Sequence, residues 1–217
     1  MDCLDCVERV CRMSVKTKYK TICIGIDQSY KNTGVSISAD GKLLIVRSID
    51  LSGCKTNTEK RYLLESYLDR VVSKICDKGT NIICVIERIR LRSQGFVNID
   101  YIKSIGALNA LIVDLMFRHN IKVYSVDTRC WKSQVVGTSK PMKNKFGVPD
   151  EKWPTVLWCI NKGFEDSILI DMSKSRRDVG TFMKGEKKMM YNNDASDSAA
   201  ISMYYFVGDR GKLKVEH

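Results

Sequence analysis

The sequence predicts an α/β fold, a mixed five-stranded sheet flanked by helices. Three observations lead there. Two β-rich runs, TICIGID at residues 21–27 and IICVI at residues 82–86, end on carboxylates, Asp27 and Glu87 respectively. The first opens onto alternating segments of the kind that form an antiparallel meander. The second is followed by a helical period and then another strand, the order of a β-α-β crossover. With 217 residues, 44% of them hydrophobic and 28% charged, the chain is long enough for one well-buried domain.

The elements follow in order. Residues 1–20 mix charge and cysteine without a sustained apolar face and read as a partly disordered leader ahead of a single domain at 21–210. Cys3 and Cys6 form a CxxC, but no second pair or histidine stands at zinc-ligand spacing. After the strand at 21–27 come a turn at 28–32, an alternating run at 33–38, an Asp40-Gly41 hairpin turn and an apolar run at 43–46, which completes the meander. Thr56 and Glu59 have capping-box spacing. Leu64, Leu68, Val71, Val72 and Ile75 then recur with helical period over about five turns. The run 82–86 is apolar throughout, as a strand buried on both faces requires. A polar, basic loop at 88–97 precedes a second long helix marked by Ile105, Leu108, Ile112 and Met116, and the strand 122–126 closes the crossover. Residues 137–150 read as an exposed loop. Residues 151–161 are helical with Pro154 in the first turn, and 174–193 form a polar, basic segment expected to be mobile until it meets a ligand. The helix 194–207 ends at Gly208.

The net charge of +11 is concentrated. Between Arg88 and Lys145, eleven Lys and Arg face three Asp, a balance of +8. A stretch of that kind beginning beside Glu87 fits a phosphate backbone better than a merely solvated face. No apolar run approaches the roughly 20 residues that cross a bilayer, and the N-terminus lacks the apolar centre of a signal peptide. The expectation is an intracellular, soluble protein with no membrane partner. Nine scattered cysteines, several inside apolar strands, read as reduced thiols.

Asp27 and Glu87 end neighbouring strands, and Asp194 and Asp197 are three apart on one helix face. Four carboxylates can therefore converge at one end of the sheet, where their mutual repulsion favours hard cations such as Mg²⁺. Each has a duller reading as well. Asp27 can start the following turn, and Asp194 can N-cap its helix.

Four segments then carry a specific resemblance: IGIDQSYKNTGVSI at 24–37, IICVIER at 82–88, WKSQVVG at 131–137 and DASDSAAI at 194–201. In type and order they resemble the motifs of RuvC-family Holliday junction resolvases, over about residues 21–207, and the compact size suits a viral or phage member. The resemblance implies a ribonuclease H-like fold and two Mg²⁺ ions, with Mn²⁺ as a substitute, held by Asp27, Glu87, Asp194 and Asp197. It also implies paired incision of four-way junctions and other branched DNA by a homodimer, for which the helix 99–118 with Gly106 and Ala110 is the candidate interface. Lys132 matches the first functional lysine of that family, and Lys143 is the candidate for the second, with Lys140 as the alternative.

Two departures stand out. Residues 150–193 form a longer, partly basic path to the acidic pair than the family uses. After Glu87, where the family places a wedge aromatic, this chain has Arg88, Arg90 and Arg92, whose guanidiniums suit phosphates, with Phe96 further on as either a base-stacking residue or a core anchor. Lys140 and Lys145 extend the expected DNA-binding set. Three other readings stay open: a less selective nuclease acting on forks, flaps or RNA-DNA hybrids; a relative of the actin-like sugar kinases and ATPases, suggested by GID...NTG; and a non-catalytic DNA-binding module.

Overall fold

The structure, a computed structural model, describes residues 19–75, 79–89, 99–172 and 181–216. Arg90, Arg92, Phe96 and the CxxC of the leader lie outside the described residues.

The meander forms as the sequence predicts, from β1 (Thr21–Asp27), β2 (Asn32–Ala39) and β3 (Lys42–Asp50). Asp40 (φ 47°) and Gly41 (φ 81°) both take the left-handed conformation that a two-residue hairpin turn demands. The Asp40 carboxylate also accepts hydrogen bonds from the backbone N–H groups of Lys20 (3.0 Å) and Thr21 (2.9 Å), pinning the start of β1. Helix α1 (Asn57–Ile75) opens with the expected capping box: Glu59 N–H donates to Thr56 Oγ1 at 3.1 Å, and Thr56 N–H to Glu59 Oε2 at 3.3 Å. Strand β4 (Asn81–Glu87), helix α2 (Ile99–Arg118) and strand β5 (Lys122–Val126) make the crossover, with β4 parallel to both β1 and β5.

Beyond β5, helix α3 (Thr128–Trp131) runs into a wider π-type turn, Lys132–Val136. Two-residue strands β6 (Met142–Lys143) and β7 (Pro149–Asp150) pair within the exposed loop. Helix α4 (Trp153–Asn161) carries Pro154 in its first turn, where a missing N–H costs nothing. Next come β8 (Leu169–Asp171), β9 (Thr181–Lys184), β10 (Lys187–Tyr191), helix α5 (Asn193–Val207) and β11 (Lys214–Val215).

Two expectations are corrected. The main sheet has six strands, not five, in the order β11-β5-β4-β1-β2-β3, because the chain returns after α5 to cover the outer edge of β5. The later part of the segment expected to be mobile is instead the β9-β10 hairpin, which turns at Gly185 (φ 61°) and pairs with β8. Its charge hides a packed face. Tyr191 stacks near Phe182 (centroids 5.0 Å) and edge-on to Trp153 (5.6 Å), and Lys145 lies over the Phe182 ring.

Helices α1 and α2 cover one face of the sheet, burying Ile22, Ile24 and Ile26 against Leu64, Leu68, Leu108 and Ile112. Helix α5 covers the other face, where Ile83 and Val85 meet Trp131, Ile201 and Tyr204. There the helix comes unusually close to the strands. A Cβ on Gly25 would stand 2.4 Å from the carbonyl oxygen of Ser198, and one on Gly34 would stand 1.8 Å from that of Asp194. Serines fill the same seam: Ser36 Oγ donates to the Ser198 carbonyl at 2.7 Å, and Ser38 Oγ to Ser202 Oγ at 2.5 Å. The first turn of α5 is thus held against the end of β1.

Gly34→Ala pushes the helix backbone outward, since the colliding atom cannot rotate away. The expected cost is about 1–3 kcal/mol, read as a lowered urea midpoint with an unchanged slope. A variant as stable as the parent would show that the approach is looser than described.

Candidate active site

The catalytic candidates gather at one end of the sheet. Asp27 closes β1 and is only 8% exposed; Glu87 closes the adjacent parallel strand β4; Asp197, 6% exposed, projects from α5, with Asp194 one turn earlier. The helix is capped not by Asp194 but by Asn192, whose side chain accepts from Ala195 N–H at 3.2 Å, so the Asp194 carboxylate is not spent on capping.

The four carboxylates act on one another. Burial first, and then the charges of Asp197, Glu87 and Asp194, hold the Asp27 pKa well above the usual carboxylate range. Asp194 is raised by burial, against the pull of Lys152 and with the push of Glu87. Asp197 is pushed up to about 7, mainly by burial, while Lys132 and Lys152 oppose the rise. The Thr155 hydroxyl lies close enough to favour the charged form of Asp197 yet outside good hydrogen-bonding geometry, so Asp197 Oδ1 and Thr155 Oγ1 are both buried without a hydrogen-bond partner.

Glu87 is oriented by two neighbours that sequence reasoning did not single out. Thr128 Oγ1 donates to its carboxylate, and Gln28 Nε2 donates to its backbone carbonyl. Thr128 is delivered by the turn at Asp127, whose side chain caps α3 by accepting from Arg129 N–H at 3.0 Å. Gln28 Oε1 is buried and has no hydrogen-bond partner.

Two lysines face this centre. Lys132 is where the sequence predicts it, with Nζ 3.4 Å from the Glu151 carbonyl and close enough to Asp197 to lower its pKa. The other is Lys152. Burial works against the charge of Lys152, but Asp197, Asp194, Asp27 and Glu87 together outweigh that and hold its pKa above the ordinary value. Lys143 stands on the exposed strand β6, Lys140 on the exposed approach to it, and Lys145 is engaged with Phe182 and Tyr191. Lys152 directly precedes the helix that packs on α5, a relation that the β6-β7 hairpin between it and Lys132 hides in the sequence. The Arg88 guanidinium is tied to β5 through Ser125 Oγ (3.4 Å) and its carbonyl (3.3 Å).

No protein-family model matches the sequence, and no curated protein matches it at the sequence level. Solved structures do. Thermus thermophilus RuvC in complex with a Holliday junction substrate superimposes with a TM-score of 0.56 at 12% identity, covering 90% of this chain and 99% of that one. RuvC of the same organism, in a second structure, gives 0.53 at 14% identity, covering 89% and 99%. The fold is that of RuvC.

On this RuvC-like fold the donor set suits a divalent metal. It consists of hard oxygen ligands whose mutual repulsion a cation would relieve, and one buried oxygen, Asp197 Oδ1, lacks a partner. Among the described residues no three acidic, cysteine or histidine side chains close into a metal-sized cage. The carboxylates share a field, with Lys152 facing all four.

Because folding raises the Asp197 pKa, the folded protein keeps a proton that the unfolded chain has released. That contribution to stability is complete at acid pH and lost as the pH rises through about 7. In EDTA the melting temperature is expected to fall between about pH 5 and pH 8, less so in Asp197→Asn, and millimolar Mg²⁺ should restore it. A profile identical in the parent and Asp197→Asn would contradict the assignment. Thr128→Val, which frees the Glu87 carboxylate to rotate, is expected to weaken Mn²⁺ binding by roughly 10–100-fold in calorimetry, whereas Thr128→Ser keeps it.

Proposed function

We propose that this chain is a metal-dependent endonuclease that cuts branched DNA, with the four-way junction as its preferred substrate. The observation that carries the reading is the convergence of Asp27, Glu87, Asp194 and Asp197 with Lys132 and Lys152 at one end of the sheet. The likeness to RuvC captured on a junction supports the choice of substrate.

In this reading the four carboxylates hold two Mg²⁺ ions, with Mn²⁺ as a substitute, and the bound metal supplies an activated water and charge stabilisation for phosphodiester hydrolysis. The chain's own groups do the rest. Thr128 and Gln28 fix the rotamer and backbone of Glu87, and Asn192 fixes the first turn of α5 and with it Asp194. Lys132 and Lys152 neutralise the negative charge that builds on the phosphate oxygens during attack, and burial of Asp27 and Asp197 strengthens every charge interaction around them. Arg88, Arg90, Arg92, Lys140 and Lys145 remain candidates for backbone contacts, and Phe96 for contact with a base.

Paired cuts across a symmetric junction call for two copies. Helix α2 offers an outward face for pairing: Ile99 and Phe117 are exposed there, in line with Gly106, where a Cβ would meet nothing within 4 Å.

The deciding experiment incubates labelled four-way junction, fork, flap, duplex and RNA-DNA hybrid with the protein in Mg²⁺ or EDTA. Symmetric nicking of the junction is expected in Mg²⁺ and none in EDTA, from a species that sediments as a dimer. Asp27→Asn and Asp194→Asn should bind without cutting, and Lys152→Met should lose roughly 100-fold or more in rate with binding retained. Equal cutting of forks and flaps would broaden the substrate to branched DNA in general. Failure to cut any of them would leave a binding module.

A further inference from the structure

The strand that the sequence did not predict, β11, changes what lies beside the carboxylates. Lys214 is in register with Ser125 of β5, Ser125 with Ile86 of β4, and Ile86 with Ile26 of β1, the residue before Asp27. Three strand spacings of roughly 4.8 Å put the β11 backbone about 14 Å from that of β1, at the same end of the sheet. That distance is the rise of about four nucleotides along one strand.

This edge is cationic and partly preorganised. Arg129, Arg210, Lys212 and Lys214 are exposed, and Arg88 stands against Ser125 on the neighbouring strand. Arg210 is held in place: Nε donates to the Tyr205 carbonyl at 3.0 Å, and the guanidinium lies 4.4 Å from the Tyr205 ring centroid. The turn that carries it is tied back to the segment that carries Lys132, Asp209 N–H donating to Gln134 Oε1 at 2.6 Å. Two acids nearby are turned onto the backbone. Asp209 accepts from Gly211 N–H at 2.9 Å, and Asp127 from Arg129 N–H at 3.0 Å.

We infer that the C-terminal strap, Arg210 to Lys214, is a second nucleic-acid contact, gripping the backbone of a strand a few nucleotides from the phosphate that meets Lys132 and Lys152 at the carboxylate centre. The inference rests on the nuclease reading. Charge complementarity selects the occupant. A polyanionic strand fits this cationic edge, whereas edge-to-edge pairing with a second copy is opposed by so short a strand bearing a lysine. The contact positions DNA and reads no bases, since lysine and arginine at a sheet edge meet phosphates.

The test is the salt dependence of junction binding in EDTA, comparing the parent, the double variant Lys212→Gln/Lys214→Gln, and a charge-matched control, Lys20→Gln/Lys42→Gln, at the opposite end of the sheet. Side-chain amides leave the β11 backbone pairing intact, which equal urea midpoints would verify. The strap variant is expected to bind roughly ten-fold more weakly, with a log K against log salt slope shallower by about two, one for each lost phosphate contact. Its cutting rate at saturating protein in Mg²⁺ should equal that of the parent, and the control should match the parent throughout. A strap variant with the parent's slope, or one no different from the control, overturns the inference and leaves the nuclease reading standing. A changed sedimentation coefficient with an unchanged slope overturns it too, in favour of a contact between copies. If the parent itself neither binds nor cuts branched DNA, the nuclease reading falls first and the strap contact falls with it.

Discussion

The structure depends on two missing side chains. Without a Cβ at Gly25 and Gly34, helix α5 lies almost on the backbone of β1 and β2, closer than any other residue would allow. Everything at the active end follows from that distance. The serines of the seam replace apolar bulk with short hydrogen bonds from strand to helix, which lock the rotation of α5 as well as its height. With height and rotation fixed, Asp194 and Asp197 are brought into the field of Asp27 and Glu87, carboxylates that come from strands far away in sequence. A conventional layer of leucines would bury more apolar area but would set the helix farther out.

That placement is unfavourable on electrostatic grounds. Buried carboxylates facing one another are each held in a region where the charged form is penalised, and the fold offsets this with Lys132, Lys152 and the Thr155 hydroxyl instead of diluting the charge. A sheet edge organised only for stability would place apolar or singly charged residues there. The concentration of like charge at one point, with its own lysines beside it, marks this end of the sheet as the place where the sequence departs from the rules that shape the remainder.

Most of the scaffold was legible because its signals are local. The capping box at Thr56 and Glu59, the Asp40-Gly41 turn and the apolar run of β4 each depend on neighbours within a few residues, and each forms as read. The meeting of the four carboxylates at one end of the sheet was legible because strand ends and a helical spacing of three are also local patterns. What escaped depends on distant partners. β11 has two residues, too few for any periodicity, and exists only because β5 offers an open edge. The β9-β10 hairpin reads as polar until Trp153 and Lys145 supply the other half of its packing. Thr128 and Lys152 have no motif of their own. One is placed by the Asp127 cap and the other by the start of α4, and their relation to the carboxylates is purely spatial.

Asn192 joins parts that the chain could have kept separate. Its backbone N–H donates to the Ile168 carbonyl at 2.7 Å, its side-chain amide to Ser48 Oγ at 2.6 Å, and its side-chain oxygen caps α5, while Tyr191 immediately before it ends β10. One residue therefore couples the three-stranded sheet mechanically to the meander and to the helix bearing Asp194. Since β10 ends at Tyr191 and α5 begins at Asn193, Asn192 is the whole of the linker between the small sheet and the helical turn that carries Asp194.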